Sequence, residues 1–239
     1  MSIEIHSLQK KFGSHAALNG ITTTIDKGMY GLLGRNGAGK TTLLKIIATL
    51  LKPSAGNVTV NGVAIKETKR IRRMIGYLPQ NFSFYLNMTV YDSMKYMAAL
   101  SELPASLQNT NIPLLLQRVN LWDTRKKKVR TLSGGMVRRL GIAQALLNEP
   151  EILIADEPTN GLDPEERIRI YNLLEEYSKN KIVILSTHIA SDIEATCTRV
   201  GVLDSGKMIF DGSVNKLAEL ANGKVYTVEN GYMALLKNI

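Results

Sequence analysis

The sequence has little sulfur chemistry and little indole. One cysteine, Cys197, and one tryptophan occur among 239 residues. A single thiol cannot close an intramolecular disulfide, and no neighbouring ligand set marks it as part of a zinc site, so Cys197 reads as a packed thiol. Long apolar runs are missing as well. A membrane span needs roughly 18 to 20 apolar residues in succession. The best stretch, 43–51, is short and interrupted by Lys45, so no span is expected. The opening residues Met1 to Leu8 alternate apolar and polar, without the charged start and apolar block of a secretory signal, which points to the cytoplasm. No internal repeat or low-complexity linker appears.

Acidic residues are outnumbered: 30 Lys and Arg against 21 Asp and Glu give a formal charge of +9. That balance suits an acidic partner such as nucleotide, anionic lipid or nucleic acid. The densest basic runs are Arg125 to Lys128 with Arg130, the pair Arg138-Arg139, and Lys69-Arg70 with Arg72-Arg73. No aromatic residues interleave with them as base-stacking platforms would require, so they read as a solvated basic face. What is present in quantity is apolar content, 44%, enough to fill the core of one large domain or of a domain with an inserted lobe.

One stretch organises the rest. Gly34-Arg35-Asn36-Gly37-Ala38-Gly39-Lys40-Thr41-Thr42 fits the phosphate-binding pattern G-x-x-x-x-G-K-[ST]. A short apolar strand, Met29 to Leu33, precedes it, and apolar residues at helical spacing follow from Thr42 to Leu51. The glycines let backbone N–H groups close on an anion, and the helix start adds its positive dipole end. Lys40 then reaches the β- and γ-phosphates, the Thr41 hydroxyl ligates the bridging Mg²⁺, and Thr42 contacts the α-phosphate. A dinucleotide reading fails, since Gly37-Ala38-Gly39 lacks the third glycine and no acidic residue follows at the ribose spacing.

Around this loop the chain reads as α/β, a P-loop NTPase core with a mostly parallel sheet. Ile3, Ile5 and Leu8 alternate, as do Ile21, Thr23 and Ile25, and Asn57 to Val63 runs into an Asn-Gly turn; together they predict an N-terminal antiparallel β-lobe. Met74 to Leu78 is a further strand, ended by Pro79-Gln80. From about 87 to 130 the pattern turns helical, with one stripe on Val90, Met94, Met97, Ala98 and Leu100 and another on Leu114, Leu115, Val119 and Leu121, predicting an inserted α-helical subdomain. Ser133 predicts an N-cap for a helix burying Leu140, Ala143, Leu146 and Leu147. Glu151 to Ala155 and Lys181 to Leu185 are continuous apolar runs of a covered parallel sheet, separated by a helix from Pro164 to Ser178. A hairpin around Asp204 to Lys207, a short helix, a weak strand and a last helix complete the chain. The expected organisation is a single domain over 1–239: a core of 1–80 and 131–212, a helical subdomain of 81–130 and a C-terminal extension of 213–239.

Five further features follow the P-loop in order: Gln80 after a strand, Leu132-Ser133-Gly134-Gly135-Met136 before a helix, Ile152 to Pro158 ending a strand, Gly161-Leu162-Asp163, and His188 ending another strand. This order resembles the nucleotide-binding subunit of an ATP-binding cassette (ABC) transporter, and the resemblance covers Ile3 to Asp211. It implies that Asp156 holds Mg²⁺ or its water and that Glu157 acts as general base or orienter for the attacking water. Gln80 is implied to touch Mg²⁺ and the attacking water, His188 to sit at the γ-phosphate, and Asp163 to span a dimer interface. Phe12 holds the position where the family stacks an aromatic ring on adenine, with core packing as the rival reading. His6 and His15 have no motif around them and read as surface residues.

Ser133, Gly134 and Gly135 form a second anion site of the P-loop kind. In the family two subunits pack head to tail, so that each such segment caps the γ-phosphate held by the opposite P-loop. Met136 departs from the Gln or Glu usual after the two glycines, which removes a polar group near the ribose. The resemblance implies an ATP- and Mg²⁺-dependent ATPase, paired with a second ABC ATPase subunit, in a homodimer or a heterodimer, and with a separate membrane-spanning permease. It would lie at the inner face of the membrane, with no direct nucleic-acid contact. The segment Asn81 to Leu86, with Phe82, Phe84 and Tyr85, is implied to receive the permease's coupling helix, core packing being the alternative. The region from Met29 to Gly62 looks most like subunits of bacterial exporters. The competing reading is a soluble ABC ATPase acting on nucleic acid, the ribosome or assembly factors, supported by the basic charge alone. A nonhydrolytic regulatory cassette is disfavoured by Glu157, Gln80 and His188.

Overall fold

A computed structural model describes residues 1–221 and 225–237. Two sheets carry the architecture. In the first, β1 (Ser2–Phe12) pairs antiparallel with β2 (His15–Asp26) and β4 (Ala55–Val60), which turns at Asn61-Gly62 into β5 (Val63–Ala64), giving the order β2-β1-β4-β5. This is the antiparallel lobe expected from the alternation. In the second, β3 (Gly28–Leu33), β6 (Ile75–Leu78), β7 (Ile152–Asp156), β8 (Ile182–Thr187) and β9 (Arg199–Asp204) run parallel, and β10 (Lys207–Ser213) adds an antiparallel edge, in the order β10-β9-β3-β8-β7-β6.

The apolar runs of the second sheet are continuous because both of its faces are covered. Met29, Leu33, Leu153, Val183 and Leu185 face one core, built with helices α3 (Val90–Leu100), α4 (Ala105–Arg118), α5 (Gly134–Ala145), α6 (Pro164–Ser178) and α7 (Ala190–Thr196). Tyr30, Leu32, Ile152, Ile154, Ile182 and Ile184 face a second core with α1 (Lys40–Ile47), α2 (Thr68–Met74) and the antiparallel lobe. Helix α8 (Val214–Glu219) packs on β9 and β10, and α9 (Val228–Lys237) packs on α8 and α7. Residues 225–227 are irregular, and 222–224, where the rest of the weak strand would fall, lie outside the described residues.

Several expectations change. Arg138 and Arg139 are 7% and 8% exposed, which overturns the solvated reading for that pair; Lys69, Arg70, Arg72, Arg73, Lys126, Lys127 and Lys128 are exposed as expected. Arg125 lies over the Trp122 ring at 4.2 Å. Leu100 and Leu114, assigned to buried stripes, face solvent. Met74 belongs to α2, a helix that the sequence pattern did not predict.

Candidate active site

The strand β3, the turn Gly34–Gly39 and the helix α1 form one wall of a cleft of about 390 Å³. Gly39 is the N-cap of α1 with φ 106°, and no side chain caps that end, so the first N–H groups of the helix are left for an anion. A Cβ on Gly39 would lie 2.7 Å from Ala17 O and 2.9 Å from the Leu18 side chain, so glycine is demanded by space as well as by φ. Lys40 is buried, and its Nζ donates to Gly34 O at 2.6 Å and Arg35 O at 3.2 Å, folding the ammonium back over its own loop. Burial pulls its pKa down from the ordinary lysine value, and the charges of Glu157 and Asp156 oppose that shift.

Opposite the loop, β7 ends in two buried carboxylates. Asp156 is fully buried: its Oδ1 accepts from the Ser186 hydroxyl on the neighbouring strand β8, while Oδ2 has no hydrogen-bond partner among the described residues. Glu157 sits at φ 50°, a left-handed conformation that costs a non-glycine residue on the order of 1 kcal/mol or more. Its N–H is held by Ser186 O at 3.2 Å and Ser186 Oγ at 3.1 Å. The Glu157 carboxylate meets His188 Nδ1 at 3.0 and 3.1 Å and stands 3.9 Å from Lys40 Nζ. Anionic acceptors and the anion-binding loop thus face each other across a gap.

Asn36, Gly37, Ala38, Gly39, Lys40, Thr41, Thr42, Gln80 and Glu157 all line this cleft. Phe12 lines it too and is 50% exposed, which removes the core-packing alternative. Gly34 contributes its carbonyl through Lys40, and His188 reaches the cleft through Glu157. Ser133, Gly134, Gly135 and Asp163 do not line it. Ser133 caps α5 by accepting from Met136 N at 3.2 Å, which leaves its hydroxyl proton free to donate. Asp163 begins α6 without a side-chain cap bond and is exposed. Met136 packs half-buried against the large core.

Three neighbours escaped the sequence reading. His15, read as an unattached surface residue, lines the cleft beside Phe12, its cross-strand partner at the hairpin tip. Ser186 ties Asp156 to Glu157, and its only sequence signal was its place at the end of an apolar strand. Arg138 reaches the same strand end from α5. Phe82 and Phe84 pack edge to face at 5.8 Å against the core, whereas Tyr85 is 60% exposed and stacks edge to face on Tyr96.

The two-sheet fold with a P-loop facing paired carboxylates defines an ATP-binding cassette ATPase. The chain belongs to the ABC transporter family, whose model matches residues 18–160. The linearmycin resistance ATP-binding protein LnrL of Bacillus subtilis is 34% identical over 92% of this chain and 72% of its own length. The Nod factor export ATP-binding protein I of Rhizobium meliloti is 36% identical over 92% of this chain and 66% of its own length. Among solved structures, the ATP-binding subunit of an ABC transporter superposes with a TM-score of 0.89 at 26% identity, covering 99% of this chain and all of that one. A dimeric ATP-binding cassette in a post-hydrolysis state, bound to ADP and Pi, gives a TM-score of 0.80 at 26% identity over 88% of this chain and 98% of that one. The chain is an ATP-binding and ATP-hydrolysing subunit of this family. Among the described residues no helix is long and apolar enough to cross a membrane.

Proposed function

We propose that the chain is the ATPase engine of a bacterial exporter, acting with a second cassette and a separate permease at the inner face of the membrane. The observation that carries the ATPase part is the cleft itself, where Lys40, Glu157 and Gln80 converge on one cavity beside the buried Asp156. The export part rests on relatives named for linearmycin resistance and Nod factor export. The division into a core of 1–80 and 131–212, a helical subdomain of 81–130 and an extension of 213–239 is kept as part of this proposal.

The residues fit Mg²⁺. Asp156 Oδ2 is a buried acceptor with no partner, an arrangement that is costly unless something occupies it. Thr41 and Gln80 add neutral oxygens from the cleft wall, a donor set suited to an ion that keeps waters and shares phosphate oxygens. Asp156, Thr41 and Gln80 would hold the ion, which neutralises charge on the β- and γ-phosphates when bound.

The chain's own groups do the remainder. Asn36 to Gly39 and the start of α1 bind phosphate through backbone N–H groups, and Lys40 swings from the carbonyls of Gly34 and Arg35 onto the β- and γ-oxygens. Thr42 holds the α-phosphate, and Phe12 stacks on the base from the open end of the cleft. Glu157 orients the attacking water and takes its proton, while His188, seated on that carboxylate, faces the γ-phosphate. Ser133, Gly134, Gly135 and Asp163, which lie off the cleft in one chain, act on the nucleotide of the second chain. Glu157→Gln is expected to bind ATP with unchanged affinity while turnover falls about 100-fold or more. Turnover within a few-fold of the parent would remove Glu157 from the mechanism.

A further inference from the structure

Arg138 is the least expected side chain near the site. It lies on α5, only 7% exposed, with the Phe82 ring centroid 5.5 Å from its guanidinium carbon. Taking a cation out of water is costly unless its donors are met. Here they are met by backbone alone. Nε donates to Pro158 O at 3.0 Å, Nη1 to Gln80 O at 2.8 Å and Pro79 O at 3.3 Å, and Nη2 to Asp156 O at 2.8 Å and to Glu157 O. A guanidinium has five N–H donors in a fixed planar fork, and each has a carbonyl here.

Those carbonyls come from two separate segments, and the arginine comes from a third. Pro79 and Gln80 form the loop after β6; Asp156 ends β7, with Glu157 and Pro158 directly after it; and α5 carries Ser133, Gly134 and Gly135 at its start. A planar fork gripping two loops at once leaves little freedom for either to shift without the helix. We propose that Arg138 is a positioning residue that makes the Gln80 loop, the Asp156–Pro158 strand end and the Ser133–Gly135 helix start move as one body. Nucleotide bound at the P-loop is thereby felt at the surface presented to the second cassette. This rests on the assignment of Gln80 and Glu157 above.

The test uses the whole chain with Arg138→Lys and Arg138→Met. Lysine keeps the charge but replaces the fork with a point donor; methionine keeps apolar bulk without donors. Hydrogen exchange is followed at amides of 37–42, 79–82 and 133–137, with and without ATP and Mg²⁺, in a Glu157→Gln background, and kcat and KM are measured with Glu157 intact. With Arg138 in place, all three segments are expected to slow together. In Arg138→Lys the P-loop amides still slow and KM stays within about threefold, while protection at 79–82 and 133–137 separates from it and kcat drops about 30-fold. A purely structural role would move melting temperature and nucleotide affinity together and leave the segments linked. Linked segments in Arg138→Lys, turnover within threefold of the parent, or no slowing at 133–137 in the parent would each overturn the proposal. Should Arg138→Met fail to fold, Arg138→Lys decides. Failure of the Glu157 assignment is read separately, as continued turnover in Glu157→Gln with Arg138 intact.

Discussion

Ser186 holds the two acidic residues of the site with one oxygen. Its hydroxyl donates to Asp156 and accepts from the Glu157 N–H, so it fixes the Asp156 carboxylate and stabilises the left-handed backbone of Glu157 together. Ser186→Ala leaves the Asp156 carboxylate without its buried donor, a loss of about 1 to 3 kcal/mol when a buried group is orphaned. If part of that loss falls on the transition state, kcat drops about tenfold with ATP affinity preserved, which steady-state kinetics and nucleotide titration would report. The other buried reactive group does the opposite of chemistry. Burial pushes the Cys197 thiol up to about 12, opposed by the Thr196 hydroxyl contact. The thiolate is the reactive form, so near pH 8 the native thiol should be alkylated by iodoacetamide at least about 100-fold more slowly than in the denatured chain. Equal rates would show that Cys197 is open to solvent. Asp156, Glu157 and Lys40 were legible in the sequence because motif spacing marks them. Ser186 was not, since a serine at a strand end reads the same whether its hydroxyl meets solvent or a buried carboxylate.

At the scale of elements, the P-loop depends on a close approach between the α1 start and the β2 hairpin. Gly39→Val places a branched side chain against Ala17 O and Leu18 at a φ of 106°. The loop must then open, and ATP affinity is expected to fall about tenfold or more, measurable with a fluorescent nucleotide, while the antiparallel lobe and the parallel sheet keep their far-UV signal. Unchanged affinity would mean that the loop accommodates the side chain. The strands β7 and β8 were legible because both faces of their sheet are covered, leaving runs such as Ile152 to Ala155 without polar interruption. Helix α2 was hidden for the converse reason. Its sequence TKRIRRM has only two apolar residues, the buried Ile71 and Met74 one turn later, too few to mark a period, and Met74 reads equally well as the start of the strand that follows. Leu100 and Leu114 sit at helical spacing yet face solvent, since spacing marks a stripe but not its width. Arg138 reads as a surface charge from sequence because the carbonyls that satisfy it belong to residues 79–80 and 156–158, far away along the chain.

At the scale of the whole molecule, the composite site proposed above has both of its halves on one chain, and the two do not meet there. The P-loop, Glu157 and Gln80 line the cleft, while Ser133, Gly134, Gly135 and Asp163 stand outside it. Ser133 keeps a free hydroxyl proton, and Asp163 keeps an exposed carboxylate. Head-to-tail pairing of two copies would bring each set onto the nucleotide of the other, so ATP would join the subunits and hydrolysis would release them. The most direct test is the mass of the purified Glu157→Gln protein by light scattering, with and without ATP and Mg²⁺. A shift from the 26.4 kDa chain to twice that mass is expected only when both are added. A protein that stays at 26.4 kDa with its nucleotide site demonstrably saturated would contradict assembly of the site from two copies of this chain.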